Sequence, residues 1–386
     1  MRRHRSVRNV LIVQPTITHY RVPFFNALER LRPNTWQFAV TFDPSEFETP
    51  RFLQAPLAPD ALHFPTVPVR HIELLGHGRK PTYQTIWRRA GGFDLIIVEQ
   101  ALHDLAYLLC QVHRLHGTRF AYWGDGRDRL VERATGLKRL AEGVKLALTR
   151  HADGLFAYTP GVKAEMVRQG VAADRVFALS NTIDIDEQRA AFERHRPLRE
   201  EIRRALGVEG KKVLLFVGRF TRNKRVPFLI EAFSALHRMS PDTHLLLVGG
   251  GADVGGQGMP GVTFLGSTED LDRIARAYVA SDVFAFPGTV GLAPLQAMCY
   301  DLPAVTIDSL SHGAELEYLT PANSLILPAR ATAEGYAAAL RDLLADADRV
   351  AALRAGIWPS IRHLTIDNMA LNFIRGVNAL LAPAAS

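Results

Sequence analysis

Two loops in the second half of the sequence combine residue types able to hold an anion. The first is Gly218-Arg219-Phe220-Thr221-Arg222-Asn223-Lys224, between the apolar run Lys212–Val217 and a helical pattern starting near Val226. Glycine lets the chain turn sharply as it leaves a strand. A guanidinium at Arg219 forks two oxygens, and the Lys224 ammonium adds a mobile point charge, the pairing a diphosphate needs. A solvated basic loop is the other reading of the same residues. The second loop is Phe286-Pro287-Gly288-Thr289-Val290-Gly291-Leu292, with a helix expected from near Leu292. The first amides of a helix are unpaired and its dipole adds about half a positive charge, so an anion is favoured there. Gln296, one turn on, carries an amide suited to ribose hydroxyls. A packed Gly/Pro turn without a ligand is the alternative.

The elements that must position these loops are legible as a rhythm. Apolar runs occur at Asn9–Gln14, Gln37–Phe42, Asp94–Glu99, Arg119–Trp123, Gly154–Tyr158 and Val176–Leu179, and helical patterns lie between them. Several runs are continuously apolar, which predicts strands covered on both faces and hence a parallel sheet. A second series follows at Lys212–Val217, Leu245–Val248, Val262–Leu265, Val283–Phe286, Ala304–Ile307 and Ser324–Leu327. The fold class expected is therefore α/β, with two doubly wound Rossmann-like domains facing across a cleft. The boundaries expected are 1–185, a charged connector at 186–210, and 211–363, with a C-terminal helix at about 364–383 packing back on the first domain. Ligands of such sheets sit beyond the carboxyl ends of the strands.

The chain has 386 residues, 47% hydrophobic and 22% charged, as expected of a globular protein of two or more domains. Its two cysteines, Cys110 and Cys299, are far apart in apolar surroundings and read as buried thiols. A net charge of +7 suits a phosphorylated ligand, anionic lipid or nucleic acid. Arg2, Arg3, Arg5 and Arg8 crowd the start, and a frayed basic terminus is the plain reading. No apolar h-region follows them, and the run around Leu95–Val112 is broken by Glu99, His103 and Asp104, so neither a signal peptide nor a spanning helix is expected.

As a set, the second-half motifs resemble the group-one class of retaining glycosyltransferases with the GT-B fold. The residues that carry the resemblance are Gly218-Arg219 with Lys224, LIEAF at 229–233, LLLVGGG at 245–251, FLG at 264–266, SDVFAFPG at 281–288, LQAM at 295–298 and LPAVTID at 302–308. AYTPGVKAEMVRQGV at 157–171 and SNTIDIDE at 180–187 extend it. The resemblance implies transfer of a sugar from a nucleoside-diphosphate sugar to an acceptor hydroxyl, in envelope polysaccharide or glycolipid assembly, with no cofactor and no metal. It implies donor contacts at Gly218, Arg219, Lys224, Gly266, Gly288, Val290, Gly291, Leu292, Gln296 and Glu315, the last in a loop that closes over the donor; a helix-capping or surface role explains Glu315 as well. The family commonly carries two glutamates with seven residues between them where this chain has Gly288 and Gln296. A glycine at the first implies a different donor sugar or a backbone contact.

In the first half, the loop Gln14–Pro23 follows the first strand and offers His19 and Arg21 to an acceptor; by resemblance it lies beside acceptor and donor phosphates. A plain surface loop explains these two residues as well. Glu99, at a strand end, and His103 are further acceptor candidates. Trp123-Gly124-Asp125-Gly126 places Asp125 where relatives often have a histidine touching the transferred sugar. Asp125 is expected to bond a sugar hydroxyl or offset positive charge at the anomeric carbon; alternatively it bonds its own backbone in a Gly-Asp-Gly turn. Arg219, Lys224 and Asp125 are thus the catalytic candidates.

Other classes fit less well. Gly249-Gly250-Gly251-Ala252-Asp253-Val254 lacks the last glycine of a dinucleotide fingerprint, there is no Gly-x4-Gly-Lys-Ser/Thr, and no His/Cys/Asp cluster has metal-ligand spacing. An inactive relative that binds a nucleotide sugar or a partner, and a nucleotide-sugar epimerase, are the alternatives. A saccharide or lipid-linked acceptor is expected, and no nucleic acid. The expected location is cytoplasmic, peripheral on the inner membrane face. The segment Lys138–Arg150 carries a stripe of Leu137, Leu140, Val144, Ala147 and Leu148, flanked by Lys138, Arg139, Lys145 and Arg150. The stripe is expected to pack on the sheet, leaving the basic rim for anionic lipid.

Overall fold

The computed structural model describes residues 7–47, 59–74, 82–86, 92–100, 104–126, 136–309 and 311–383. The chain forms two compact units, residues 1–181 with 366–386 and residues 182–365. Each contains a parallel sheet with helices on its faces.

Among the described residues, the sheet of unit 1 has seven strands. They are β1 (Arg8–Val13), β2 (Trp36–Phe42), β3 (Thr66–Pro68), β6 (Leu95–Glu99), β7 (Arg119–Gly124), β8 (Gly154–Ala157) and β9 (Val176–Ala178); an antiparallel pair, β4 (His71–Glu73) and β5 (Thr82–Gln84), stands apart. The spatial order is β3-β2-β1-β6-β7-β8-β9. The winding direction reverses between β1 and β6, which makes that boundary the switch point of this sheet. Val10–Val13 and Leu95–Val98 are buried, as continuously apolar central strands must be. The three short strands β3 to β5 are absent from the sequence reading: three-residue segments have no periodicity to detect, and Pro68 restricts β3 to a sheet edge.

One face of this sheet is covered by α1 (Val22–Leu31) and by α12 (Ile366–Leu381). Phe373 of α12 stacks on Phe156 with ring centres 4.5 Å apart and lies against Phe24 and Trp123. Trp36 Nε1 donates to Asn378 Oδ1 at 2.8 Å. The short α2 (Ala106–Leu109) and α3 (Leu137–His151) connect strands that progress in one direction, so right-handed crossovers carry them over the other face. Here the structure corrects an expectation. The α3 stripe does not pack on the sheet: Leu140 is 65% exposed and Val144 45%, while Lys145 and Thr149 are buried. Polar partners set this rotation. Lys145 pairs with Asp125 at 3.8 Å, and Thr149 accepts from Gln100 Nε2 while donating to the Lys145 carbonyl. Arg8 likewise belongs to β1 and pairs with Asp94, whereas Arg2, Arg3 and Arg5, and the side chains of Leu137 and Lys138, lie outside the described residues.

Unit 2 has six parallel strands among its described residues: β10 (Lys212–Val217), β11 (Thr243–Val248), β12 (Val262–Gly266), β13 (Val283–Ala285), β14 (Ala304–Ile307) and β15 (Ser324–Leu327). Their order, β12-β11-β10-β13-β14-β15, reverses between β10 and β13. Residues 186–210 are not a separate connector. They form most of α5 (Ile185–His195) and all of α6 (Arg199–Ala205), which pack on α8 (Leu271–Ala280) inside unit 2. Ile185, Ala191, Phe192 and Ile202 are buried among these helices, so the high charge content concealed a regular apolar face. The helices α7 (Val226–Met239), α9 (Ala293–Met298), α10 (Ala333–Ala345) and α11 (Ala347–Ile361) complete the unit. Cys110 and Cys299 are both buried, and burial raises both thiols, Cys110 to about 12.

Candidate functional site

In unit 2 the two glycine-bearing loops leave the strands on either side of the switch point, β10 and β13, and the structure locks them together. Lys224 Nζ donates to the Thr289 carbonyl at 2.8 Å, and the Thr289 amide donates to the Asn223 carbonyl at 2.8 Å. The ammonium also lies 5.0 Å from the centre of the Phe286 ring. Burial, then the neighbouring Arg219 charge, lowers Lys224 to about 8, while Glu315 pulls the other way. Arg219 is exposed, while Lys224 is half-buried and held by its bond to Thr289.

The glycines here have definite steric reasons. A Cβ on Gly288 would stand 2.4 Å from the Lys224 carbonyl carbon and oxygen and 2.5 Å from the Asn223 oxygen. The position therefore accommodates no side chain while the loops are joined. Glycine in place of glutamate is thus a packing requirement of this chain, beyond any change of donor sugar. Gly249, at φ +142°, would place a Cβ 1.9 Å from the Gly218 oxygen, so the glycine-rich loop after β11 lies directly on the Arg219 loop. Gly218 turns at φ +153°, and Gly266 at φ +76° ends β12 with its carbonyl accepting from the Gly249 amide. Arg225 adopts the left-handed region at φ +54° just before α7, a strained conformation for a side-chain-bearing residue.

A third loop braces the second. His312 Nδ1 accepts from the Val290 amide at 2.9 Å, its Nε2 faces the Ile307 carbonyl at 2.7 Å, and the Gly313 amide donates to the Val290 carbonyl. These partners fix a neutral imidazole with the proton on Nε2. They also correct one expectation: the Val290 amide is engaged by His312 and is not offered to an anion. The amides of Gly291 and Leu292, just ahead of α9, have no partner among the described residues. Glu315 is buried on this bracing loop, near enough to Lys224 to stabilise its charge.

Gln296 is also differently placed. Its Nε2 donates to Gln188 Oε1 at 3.1 Å and its Oε1 accepts from Tyr278 at 3.3 Å. Gln188 in turn accepts from Tyr300, whose ring stacks on Tyr278 at 4.6 Å. The amide belongs to this internal network because α9 presents position 296 toward α5 and α8.

Unit 1 has its own crevice at its own switch point. A cavity of about 100 Å³ lies where the loop after β1 meets the ends of β6 and β8, lined among others by Thr18, Arg21, Glu99 and Tyr158. Burial raises Glu99 to about 7; Arg21 opposes the rise, and Asp125 and Asp104 add to it. Tyr158 is raised as well, chiefly by burial. Arg21 differs from the freely available cation expected: it is 5% exposed, donates to Asn181 Oδ1 at 2.6 Å, and its guanidinium lies 4.9 Å from Trp123 and 5.5 Å from Tyr158. Asp125, half exposed, pairs with Lys145 and is close enough to act on Glu99. His19 is not among the residues that line the cavity, and His103 lies outside the described residues. Tyr158 and Thr18 escaped the sequence reading. The signal for Tyr158 is its place at the end of an apolar run, where sheet ligands bind.

Residues 211–346 match the family of glycosyl transferases group 1. Spore coat protein SA of Bacillus subtilis is 27% identical over 170 residues, 39% of this chain and 44% of that protein. The alpha-maltose-1-phosphate synthase of Mycolicibacterium smegmatis is 26% identical over 197 residues, 46% of this chain and 49% of that protein. The chain thus spans less than half the length of each of these relatives. The crystal structure of Anabaena HepE in complex with UDP-glucose superposes with a TM-score of 0.67 at 16% identity, covering 96% of this chain and 99% of that one. Unit 2 is therefore built around a glycosyl transferases group 1 domain, in a chain with the GT-B fold.

Proposed function

We propose that this protein transfers a sugar from a nucleoside-diphosphate sugar to an acceptor hydroxyl with retained configuration. The observation that carries the reading is the Arg219–Lys224 loop, held against the Gly288–Gly291 loop at the switch point of a group 1 domain. Two cations and two unengaged amides suit a leaving diphosphate, whose charge grows as the glycosidic bond breaks. Electrostatic stabilisation of that charge and alignment of the two substrates supply the rate. The chemistry asks nothing of a side chain at Gly288. The Anabaena protein holds UDP-glucose, so uridine diphosphate sugars come first in the test. Donor hydrolysis and transfer are measured with parent, Arg219→Ala and Lys224→Ala. Each loss of a charge-assisted bond costs about 1.5–3 kcal/mol, roughly tenfold to a hundredfold. Unchanged kcat/KM for the donor in both variants sinks the assignment.

The acceptor we propose is a saccharide or lipid-linked saccharide, reached at an anionic membrane surface. Among the described residues no helix is long and apolar enough to cross a membrane. What supports surface contact is the outward face of α3, where Leu140 and Val144 are exposed beside Arg139 and Arg150. Basic side chains near anionic lipid contribute about 1 kcal/mol each. Co-sedimentation with anionic vesicles is expected at low salt and lost in Leu140→Ser/Val144→Ser. Equal pelleting of parent and variant, or none of either, removes the membrane from the reading.

A further inference from the structure

The crevice at the unit 1 switch point has a composition that the donor chemistry does not use. Thr18 Oγ1 is buried and has no hydrogen-bond partner among the described residues, and Thr18 lines the cavity. Glu99 ends β6 on one side, Arg21 opens α1 on another, and Tyr158 follows β8. The charged groups that act on Glu99 are Arg21, Asp125 and Asp104, and Lys145 faces Asp125. Arg21 is already bonded to Asn181 and sandwiched by aromatic rings. An anionic ligand would therefore meet the Glu99 carboxyl, the repulsive field of Asp125 and Asp104, and a cation with little capacity left. A neutral hydroxyl meets a carboxyl that retains its proton and a threonine hydroxyl lacking a partner.

We propose that this crevice recognises one hydroxyl-bearing edge of a neutral saccharide, with the Glu99 carboxyl and Thr18 Oγ1 as its two hydrogen-bonding partners. The inference rests on the acceptor reading of unit 1 and specifies its chemistry: a neutral polyol edge rather than a phosphate or carboxylate. The cavity's size agrees, because about 100 Å³ admits a hydroxymethyl-sized group and not a whole disaccharide. Burial together with Asp125 and Asp104 keeps the proton on Glu99 to about pH 7. Recognition then weakens as the pH rises past neutrality, since an ionised Glu99 can no longer donate to the ligand oxygen and its charge stands in the field of Asp125 and Asp104.

The test uses the full chain and ligand-observed NMR titrations at pH 6 and pH 8.5. The probes are methyl α-glucopyranoside and its C6-carboxylate analogue. The parent is expected to bind the neutral glycoside at least fivefold more tightly at pH 6 than at pH 8.5, and to prefer it to the carboxylate. Glu99→Gln, which imitates the protonated acid, is expected to bind the neutral glycoside equally at both pH values. Thr18→Val is expected to lose several-fold at pH 6 while keeping the pH response. A preference for the carboxylate, a Glu99→Gln variant that responds to pH like the parent, or no glycoside binding at millimolar concentration overturns the proposal. UDP titrated into the same samples reports on unit 2 and is expected to bind all variants alike. Glycoside binding with the stated pH response upholds the crevice whether or not UDP binds, so the two readings fail separately.

Discussion

The Lys224 ammonium donates to the Thr289 carbonyl at 2.8 Å, across a contact in which any Cβ on Gly288 would collide with the Lys224 backbone. One lysine thereby joins the loops that leave both switch-point strands of unit 2. Its charge is partly desolvated before any ligand arrives, and an incoming diphosphate relieves that cost.

Lys224 titrates near 8 rather than at an ordinary 10.5. Donor kcat/KM is therefore expected to fall as pH rises through about 8, while Lys224→Ala gives a low, flat profile over that range. The linkage to stability has the opposite sense. Between about 8 and 10.5 the unfolded chain binds more protons than the fold, so deprotonation stabilises the fold as pH rises. Lys224→Met is expected to keep the thermal midpoint at pH 7 and lose the UDP-induced shift. A parent profile that stays level to pH 9.5 contradicts the assignment.

Gly288→Ala is expected to destabilise by about 1–3 kcal/mol, as overpacking does, and to weaken UDP binding by separating the two loops. Gly291→Ala is the control, because nothing stands within 4 Å of a Cβ there. Thermal denaturation and UDP titration of both variants decide the matter; equal behaviour refutes the packing account.

Glu99 holds its proton to about pH 7 in the fold, against 4.5 for an ordinary glutamate. Between these values the folded chain binds more protons than the unfolded one. Its stability therefore falls with rising pH, by up to about 1.4 kcal/mol per unit. Glu99→Gln removes this slope. The variant is expected to match the parent near pH 5 and to exceed it by about 2–3 kcal/mol at pH 8. Urea denaturation at both pH values tests this, and a stability difference that ignores pH rejects it.

Asp125 belongs to unit 1, whereas the diphosphate is assigned to unit 2. Asp125→Asn is expected to lower turnover several-fold with UDP affinity unchanged, since it removes charge and keeps shape. It also removes one cause of the Glu99 rise, so the Glu99 titration is expected to move to lower pH. Steady-state kinetics beside UDP titration separate the two effects, and parental turnover reduces Asp125 to a turn residue.

Two parallel sheets, their central strands and the loops at their carboxyl ends were legible in the sequence. Continuously apolar runs and glycine-bounded basic loops are local signals, set by burial on both faces and by backbone freedom. Arg219, Lys224 and Glu99 stood out because they end or follow such runs. Three matters were decided only by tertiary structure. Gln296 turns into a network with Gln188, Tyr278 and Tyr300, because its partners come from helices far away in sequence. Gly288 is glycine because another loop's backbone occupies the space of a side chain. The α3 stripe faces outward because Lys145 and Thr149 find polar partners on the sheet side. Helical periodicity identifies a face, but which way that face turns depends on partners that only the assembled fold supplies.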